Sequence, residues 1–460
     1  MDNINRERQK DYINVLCRDI QEQYTIDEKL YQRDSIKRGL RNADGTGVTV
    51  GISGIGSVQG YYMEDGEKMP MPGQLYYRGI AVTDIADAHQ KAGTFGYEEV
   101  AYLLLLGKLP TKDQFDYFNT VLAKTRPLPE GFFEDMILKT ASSNIMNMLS
   151  RCVLALYAYD PDPEDLSIEN LTRQSIELIA RFPGIVATAY AAKRHQHDHK
   201  SLYIHNPKEE LSVSENFLRM IRKDKTFTRE EALLLDLMLI LHAEHGGGNN
   251  STFACRTISS TGADTYSAIA GAVGSLKGPL HGGANAKVME MFDYIKKDVP
   301  DTTDEDELRK YINKILDGEA ADHSGKIYGL GHAVYTVSDP RAVMIKKYAK
   351  DIAEEKGKLA DFELVETVER IGIEELCKRK GKDVQMCANV DMYSGMVYSM
   401  LGIPAELYTP LFAMARISGW CAHRIEEIYT AKRIMRPAYR ALHIRQPYVE
   451  MQNRHSNGLI

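Results

Sequence analysis

The stretch TREEALLLDLMLILHAEHGGGNN, residues 228–250, decides the fold class. Thr228 followed by Glu231 is a capping box: each side chain satisfies the other residue's free backbone N–H, which marks a helix start. From Leu233 to Leu241 the sequence is apolar nearly all round, with only Asp236 interrupting. A helix without a polar face must be covered on every side, so this one predicts a central helix surrounded by others. It is too short to cross a bilayer, which takes about 20 apolar residues.

Working outward, the helical pattern extends from Thr83 almost to the C-terminus. Residues 97–107, 112–125, 132–158 and 168–195 carry apolar side chains three and four positions apart, the spacing that lines one helix face. Gly107 and Pro110 stop the first of these in the usual order. The acidic run DVPDTTDEDE, Asp298 to Glu307, reads as a solvated helix start, because acids favour the positive end of the helix dipole. Upstream, VTVGISGIGSV, MPMPG and QLYYRG between Gly47 and Tyr77 alternate with turn residues and predict one or two small β-hairpins. Residues 1–45 are highly charged with sparse apolar positions and read as a helical leader that docks late. No fixed-period repeat is present, which excludes a solenoid. The expected class is mainly α, with a small β-hairpin region near the N-terminus.

A chain of 460 residues exceeds what one core usually supports, so two or three structural units are expected. Hydrophobic residues at 43% and charged residues at 26% exclude wholesale disorder. A formal charge of -7 argues against nucleic acid or an anionic membrane as partner. Cys17, Cys152, Cys255, Cys377, Cys387 and Cys421 form no CxxC or metal-ligand spacing and read as reduced, buried thiols. The N-terminus mixes Asp2, Arg6, Glu7, Arg8, Lys10 and Asp11 with no apolar run, unlike a secretory signal or an acid-poor presequence, so a cytoplasmic location is expected.

Three further segments carry candidate chemistry: GPLHGGAN around His281, GLGHAVYTVSDPR from Gly329 to Arg341, and NVDMYSG around Asp391. Imidazoles can donate to a developing oxyanion while a carboxylate abstracts a proton. His281 and His332 each sit beside glycines in a turn, where a side chain projects clear of the helix. GLGH does not continue as GxGxxG and no βαβ unit surrounds it, so a dinucleotide fold is excluded. Asp391 has apolar neighbours whose burial would raise its pKa; taken alone, it reads better as a helix N-cap. His242 and His245, one turn apart, suggest zinc, but no acid or cysteine is placed as in HExxH. The run Gly246 to Gly248 serves either a helix cap or close approach of a ligand, and two adjacent histidines favour the latter. Arg341, Arg416 and Arg436 stand among apolar or proline neighbours with few local acids, as suits capture of a substrate carboxylate. Snorkelling across a subunit surface is the alternative for each.

In their order and spacing these segments resemble the citrate synthase family. The likeness begins at GQLYYRGIAVTDIA (Gly73 to Ala86), continues through FGYEEVAYLLLLGKLP and LHAEHGGGNNSTF, and ends at RIMRP. The resemblance implies a nearly all-helical homodimer, with a large domain from residues 1–282 and 395–460 and a small domain from 283–394. It implies condensation of acetyl-CoA with oxaloacetate and hydrolysis of the thioester, with coenzyme A thioester as co-substrate and no permanently bound cofactor or metal.

Carried over by motif, Asp391 would remove the methyl proton, His281 would donate to the thioester carbonyl, and His332 would protonate the ketone oxygen. His245, Arg341, Arg416 and Arg436 would hold oxaloacetate, Arg436 from across the dimer interface. Lys326, Ile327, Tyr328, Gly329, Leu330 and Gly331 would cradle coenzyme A, and closure of the small domain would exclude water. The chain departs from many relatives at Ala333 and Thr336, where a base for the coenzyme phosphates is usual; Lys326, Lys277 or Lys382 would substitute. Gly246 also stands where an acid is common. Two other readings remain: a 2-methylcitrate synthase using propionyl-CoA, and a non-catalytic paralogue that binds acyl-CoA.

Overall fold

A computed structural model describes residues 13, 14, 17, 20, 24, 26–33, 36–42, 44–65, 67–381, 385–442 and 445–454. Lys382 and most of the expected leader lie outside the described residues. Two compact units emerge, Gly51–Met435 and the pair Met1–Val50 with Arg436–Ile460. The latter unit contains helix α1, Glu28–Arg33, and two single 3-10 turns, Arg38–Leu40 and Met451–Asn453.

The Gly51–Met435 unit opens with a three-stranded antiparallel sheet in the order β1 (Gly56–Glu64), β2 (Glu67–Tyr77), β3 (Ile80–Ala81). The β1–β2 register shifts between Gln59 and Tyr61, where Gly60 alone stands opposite Met71, Pro72 and Gly73 of β2. Helices follow in chain order: α2 (Val82–Ala92), α3 (Tyr97–Leu106), α4 (Lys112–Thr125), α5 (Ile145–Ala155), α6 (Ile168–Gln196), α7 (Val213–Ile221) and α8 (Arg229–His242). After these come α9 (Asn250–Ser259), α10 (Thr265–Leu276), α11 (Ala284–Asp298), α12 (Glu305–Leu316), α13 (Pro340–Glu355), α14 (Leu359–Lys380), α15 (Asp391–Met400) and α16 (Tyr408–Glu426). The chain is mainly helical, as its sequence predicts.

Helix α8 is the expected central helix. Glu231 N–H donates to Thr228 Oγ1 at 3.2 Å and Thr228 N–H donates to Glu231 Oε2 at 3.1 Å, completing the capping box. Every residue from Leu234 to His242 is buried. The interrupting Asp236 accepts the backbone N–H groups of Gly96 at 2.7 Å and Tyr97 at 3.3 Å. It thereby supplies the cap that Gly96 lacks at the start of α3, so a buried acid here belongs to the fold. Helix α16 packs against α8 and α6 and is buried from Pro410 through Arg424. The acidic run does start a helix: Asp304 accepts N–H groups from Asp306 and Glu307 at the head of α12.

The expected continuous helix over 132–158 is corrected. It is one turn at Phe133–Leu138, a break, α5 with Asn144 accepting from Asn147 N–H as its cap, and a last turn at Leu156–Tyr159. Serine and asparagine at 142–144 compete for backbone hydrogen bonds and end the first piece. No helix among the described residues is long and apolar enough to cross a membrane.

Candidate active site

Helix α8 ends at His242, and the chain turns at once through His245 and Gly246, whose φ of 80° needs a residue without Cβ strain. A Cβ on Gly246 would lie 3.2 Å from Val58, so the approach this glycine permits is to strand β1. His242 Nδ1–H donates to Met238 O at 2.7 Å, and burial lowers its pKa to about 3. His245 is buried, its Nε2 has no hydrogen-bond partner among the described residues, and burial with Arg341 nearby holds it well below the usual histidine range.

His281 stands in the tight turn after α10, held by its own N–H to Gly278 O at 2.9 Å and by Gly282 N–H to Leu276 O at 3.0 Å. The Ser251 backbone N–H, at the start of α9, points at His281 Nε2 at 3.3 Å. Ser251 Oγ also lies 3.1 Å from Nε2 and can donate to it; because an amide can only donate, Nε2 is the acceptor and the ring proton of the neutral imidazole is on Nδ1. Burial, aided by Arg416, pushes the pKa down to about 4, so this histidine is neutral at physiological pH.

His332 shows the opposite tautomer. The N–H groups of Val334 and Tyr335 both point at its Nδ1, at 3.1 Å each, which leaves the proton of the neutral ring on Nε2. Its ring stacks on Tyr335 with centroids 4.5 Å apart and meets His245 edge-on at 5.2 Å.

Asp391 is the first residue of α15, and no side chain caps that helix. The N-cap reading of Asp391 is therefore corrected: the local N–H problem is solved by Asn389, whose Oδ1 accepts from Asp391 N–H at 2.9 Å. Freed from capping, the carboxyl is raised to about 6 by burial, against the pull of Arg341 and with a further push from Asp339. That rise is worth roughly 3 kcal/mol of extra proton affinity, which makes it a stronger base than an exposed aspartate.

The two loops that carry His332 and Asp391 are laced together. Gly331 N–H donates to Cys387 O at 2.8 Å, Asn389 N–H to Gly329 O at 2.9 Å, and Asn389 Nδ2 to Gly331 O at 2.9 Å. Gly329, at φ 86°, lies so close to Met392 that a Cβ would come within 2.9 Å of its Cα. Asp339 then joins three segments: it caps α13 through Arg341 N–H at 2.9 Å, pairs with the Arg341 guanidinium at 3.0 and 2.7 Å, and accepts Val390 N–H at 3.2 Å.

The reading of Arg341 as a guanidinium with few local acids is thus corrected: Asp339, two residues earlier, holds it, because a buried cation needs a paired charge. Among the described residues Arg416 has no such bonded acid, although the buried Glu244 carboxyl, in the turn after α8, acts on it. Its Nε–H donates to His242 O at 2.7 Å, while Nη1 and Nη2 are buried without partners among the described residues. Burial lowers its pKa to about 10, so it remains a cation.

Gly331 is spent on the loop lacing, and Ile327 and Leu330 pack toward Gly372 of α14. Tyr328 Oη–H donates to Asp322 at 2.6 Å, and Lys326 is exposed. Arg436 begins the C-terminal segment of the other compact unit. Sequence reading missed Ser251, Asp339, Asn389 and Phe412. Asp339 and Asn389 stood inside quoted motifs as acceptors, beside Arg341 and Asp391 respectively; Phe412, against His242 at 4.9 Å and His281 at 6.2 Å, gave no signal beyond one apolar residue among many.

A neutral imidazole donor, a raised carboxylate and unpartnered guanidinium N–H groups can remove a proton from carbon and stabilise the resulting oxyanion beside a bound anion. Comparison with known proteins agrees. A family model described as citrate synthase, C-terminal domain, matches residues 43–438. The citrate synthase of Deinococcus radiodurans is 37% identical over 386 residues, covering 83% of this chain and 93% of that protein. The 2-methylcitrate synthase 1 of Corynebacterium glutamicum is 32% identical, covering 81% and 91%. The citrate synthase structure from Pyrobaculum aerophilum matches with a TM-score of 0.74 at 30% identity, covering 91% and 95%. The Thermoplasma acidophilum enzyme, solved with carboxymethyl coenzyme A and oxaloacetate, matches with a TM-score of 0.73 at 27% identity, covering 91% and 99%. Sequence, fold and comparison converge: the chain belongs to the citrate synthase family.

Proposed function

We propose that this chain joins acetyl-CoA to oxaloacetate and hydrolyses the thioester, releasing citrate and coenzyme A. Asp391 takes a proton from the acetyl methyl group. His281 Nδ1–H donates to the thioester oxygen as charge develops there, because a thioester α-carbon is too weak an acid for a carboxylate alone. The enol carbon attacks the ketone carbon of oxaloacetate, His332 Nε2–H supplies the proton to its oxygen, and water then cleaves the citryl thioester. Arg341, Arg416 and His245 bind oxaloacetate, and Arg436 joins them from a second copy in a homodimer.

The observation that carries this reading is the pair of imidazoles whose acceptor nitrogens are both taken by backbone N–H groups. Each ring is left as a donor at its other nitrogen, the arrangement two successive oxyanions require.

Coenzyme A would lie along Lys326 to Gly331, with Lys326 and Lys277 as the bases for its phosphates. Residues 283–394 form the small domain, whose closure on the substrates excludes water from the enol. The protein acts in the cytoplasm.

Relatives named 2-methylcitrate synthase favour one second reading, propionyl-CoA as the acyl donor. One methylene in an apolar pocket changes selectivity by about 1–3 kcal/mol, so the two donors must be compared directly. The test is thiol release from each acyl-CoA with oxaloacetate. We expect turnover with acetyl-CoA; a propionyl preference above about tenfold in kcat/KM reassigns the donor. Binding of either substrate with no thiol release turns the reading into that of a non-catalytic binder.

A further inference from the structure

Among the buried polar atoms left unpartnered in the described residues are His245 Nε2, Arg416 Nη1 and Nη2, and the hydroxyl of Tyr335. The first three were expected from sequence to meet a substrate. Tyr335 was not. Its residue is 1% exposed, and its ring is fixed from several sides: stacked on His332 at 4.5 Å, edge-on to His245 at 5.6 Å and beneath the Arg341 guanidinium at 5.9 Å. On strand β2, a Cβ on Gly73 would come within 2.5 Å of the Tyr335 ring, so the strand also presses on it.

Every one of those contacts is available to phenylalanine. The hydroxyl is therefore an addition that the fold does not use, in a place where a buried unpaired hydroxyl destabilises the folded state. The hydroxyl is left unpaired near Arg341, Asp339 and His245; Asp339 is already engaged by the Arg341 guanidinium and Val390 N–H, so an anionic acceptor beside the open N–H groups of Arg416 is the partner the hydroxyl lacks. The hydroxyl's ionisation responds to Arg341 and, in the opposite sense, to Asp339, and that of Arg416 responds to Glu244 and then to Tyr335, which sets the hydroxyl in the same electrostatic neighbourhood as both arginines and their acids.

We infer that Tyr335 is a substrate-binding residue of the oxo-acid site, its hydroxyl donating to a carboxylate oxygen of the dicarboxylate held by Arg341 and Arg416. This rests on the proposed function for the identity of the anion. It makes the site selective for an acid that brings a carboxylate to Tyr335, over 2-oxo acids ending in an apolar group. Their uptake would leave the hydroxyl and a guanidinium unpaired.

The test compares wild type and Tyr335→Phe by calorimetric titration with oxaloacetate, by steady-state thiol release and by thermal unfolding without ligand. A lost hydrogen bond to a charged acceptor predicts a rise of about 10- to 100-fold in Kd and KM for oxaloacetate. KM for acetyl-CoA should stay within about twofold of wild type, since the change is confined to the oxo-acid side. The ligand-free midpoint should hold or rise, because an unpaired buried hydroxyl has been removed. An oxaloacetate Kd within about twofold of wild type overturns the inference, as does a lower ligand-free midpoint, which would mean that the hydroxyl serves the fold. If wild type binds oxaloacetate but releases no thiol, the proposed activity fails, while a weakened Kd in Tyr335→Phe still supports the Tyr335 assignment. If wild type binds no oxaloacetate, both fail.

Discussion

At the scale of single residues, Asp391 links burial to chemistry in a way that can be measured twice. A base raised to about 6 must lose its proton before it can accept one from carbon, so kcat should fall with unit slope below about pH 6. His281, held near 4, stays neutral through that range and contributes no limb of its own above it. Asp391→Ala should slow thiol release by several orders of magnitude with oxaloacetate affinity nearly unchanged, whereas Arg341→Ala should chiefly weaken oxaloacetate. Equal weakening in both would mean that their roles are misassigned. The second measurement is stability. The folded chain binds the Asp391 proton more tightly than the unfolded chain, so the group destabilises the fold where it is ionised. That penalty reaches up to about 3 kcal/mol above pH 6 and vanishes below the ordinary aspartate pKa of about 3.9. Asp391→Asn should accordingly raise the unfolding midpoint at pH 8 and leave it unchanged near pH 3.5, while abolishing turnover.

At the scale of elements, the site depends on a β-hairpin that contributes no catalytic group. On β1, a Cβ on Gly60 would lie 2.5 Å from Val334 O, and on β2, Gly73 N–H donates to Ser338 O at 3.0 Å. Strand backbone thus abuts the segment whose N–H groups set the His332 tautomer. Gly60→Ala must push that segment away. It is expected to lower kcat by about 100-fold, the effect of a displacement near 1 Å, with a stability loss of about 1–3 kcal/mol from overpacking. Gly184→Ala is the control: a Cβ at this position within α6 would meet nothing within 4 Å, so it should stabilise by about 0.5–1 kcal/mol and leave kcat alone. Unfolding midpoints and kcat for the two variants check both statements; unimpaired turnover in Gly60→Ala would remove the hairpin from the argument. The hairpin was legible in the alternation from Gly47 to Tyr77. Its purpose was not, because alternation reports which residues share a face of the sheet and says nothing of what lies against a glycine.

At the scale of the whole molecule, the proposed homodimer gives Arg436 its role. Sedimentation at working concentration should show a dimer, and Arg436→Ala should raise KM for oxaloacetate by about tenfold or more, as loss of a charged hydrogen bond predicts. A monomer that turns over normally would exclude Arg436 from the site. The sequence by itself determined the helical class, the central helix through its cap and its apolar run, and the candidate side chains through glycine-flanked motifs. These are signals written in neighbouring residues, where periodicity and turn chemistry act directly. Only the tertiary structure decided the protonation and pairing of those side chains. It took Asp391 out of a cap and raised its pKa, assigned opposite tautomers to His281 and His332, gave Asp339 to Arg341, and left Arg416 and Tyr335 with buried polar atoms unpartnered among the described residues. Each of these depends on burial and on hydrogen-bond partners, several of them far away in the chain, and a pKa or a tautomer is set by what surrounds a group in space.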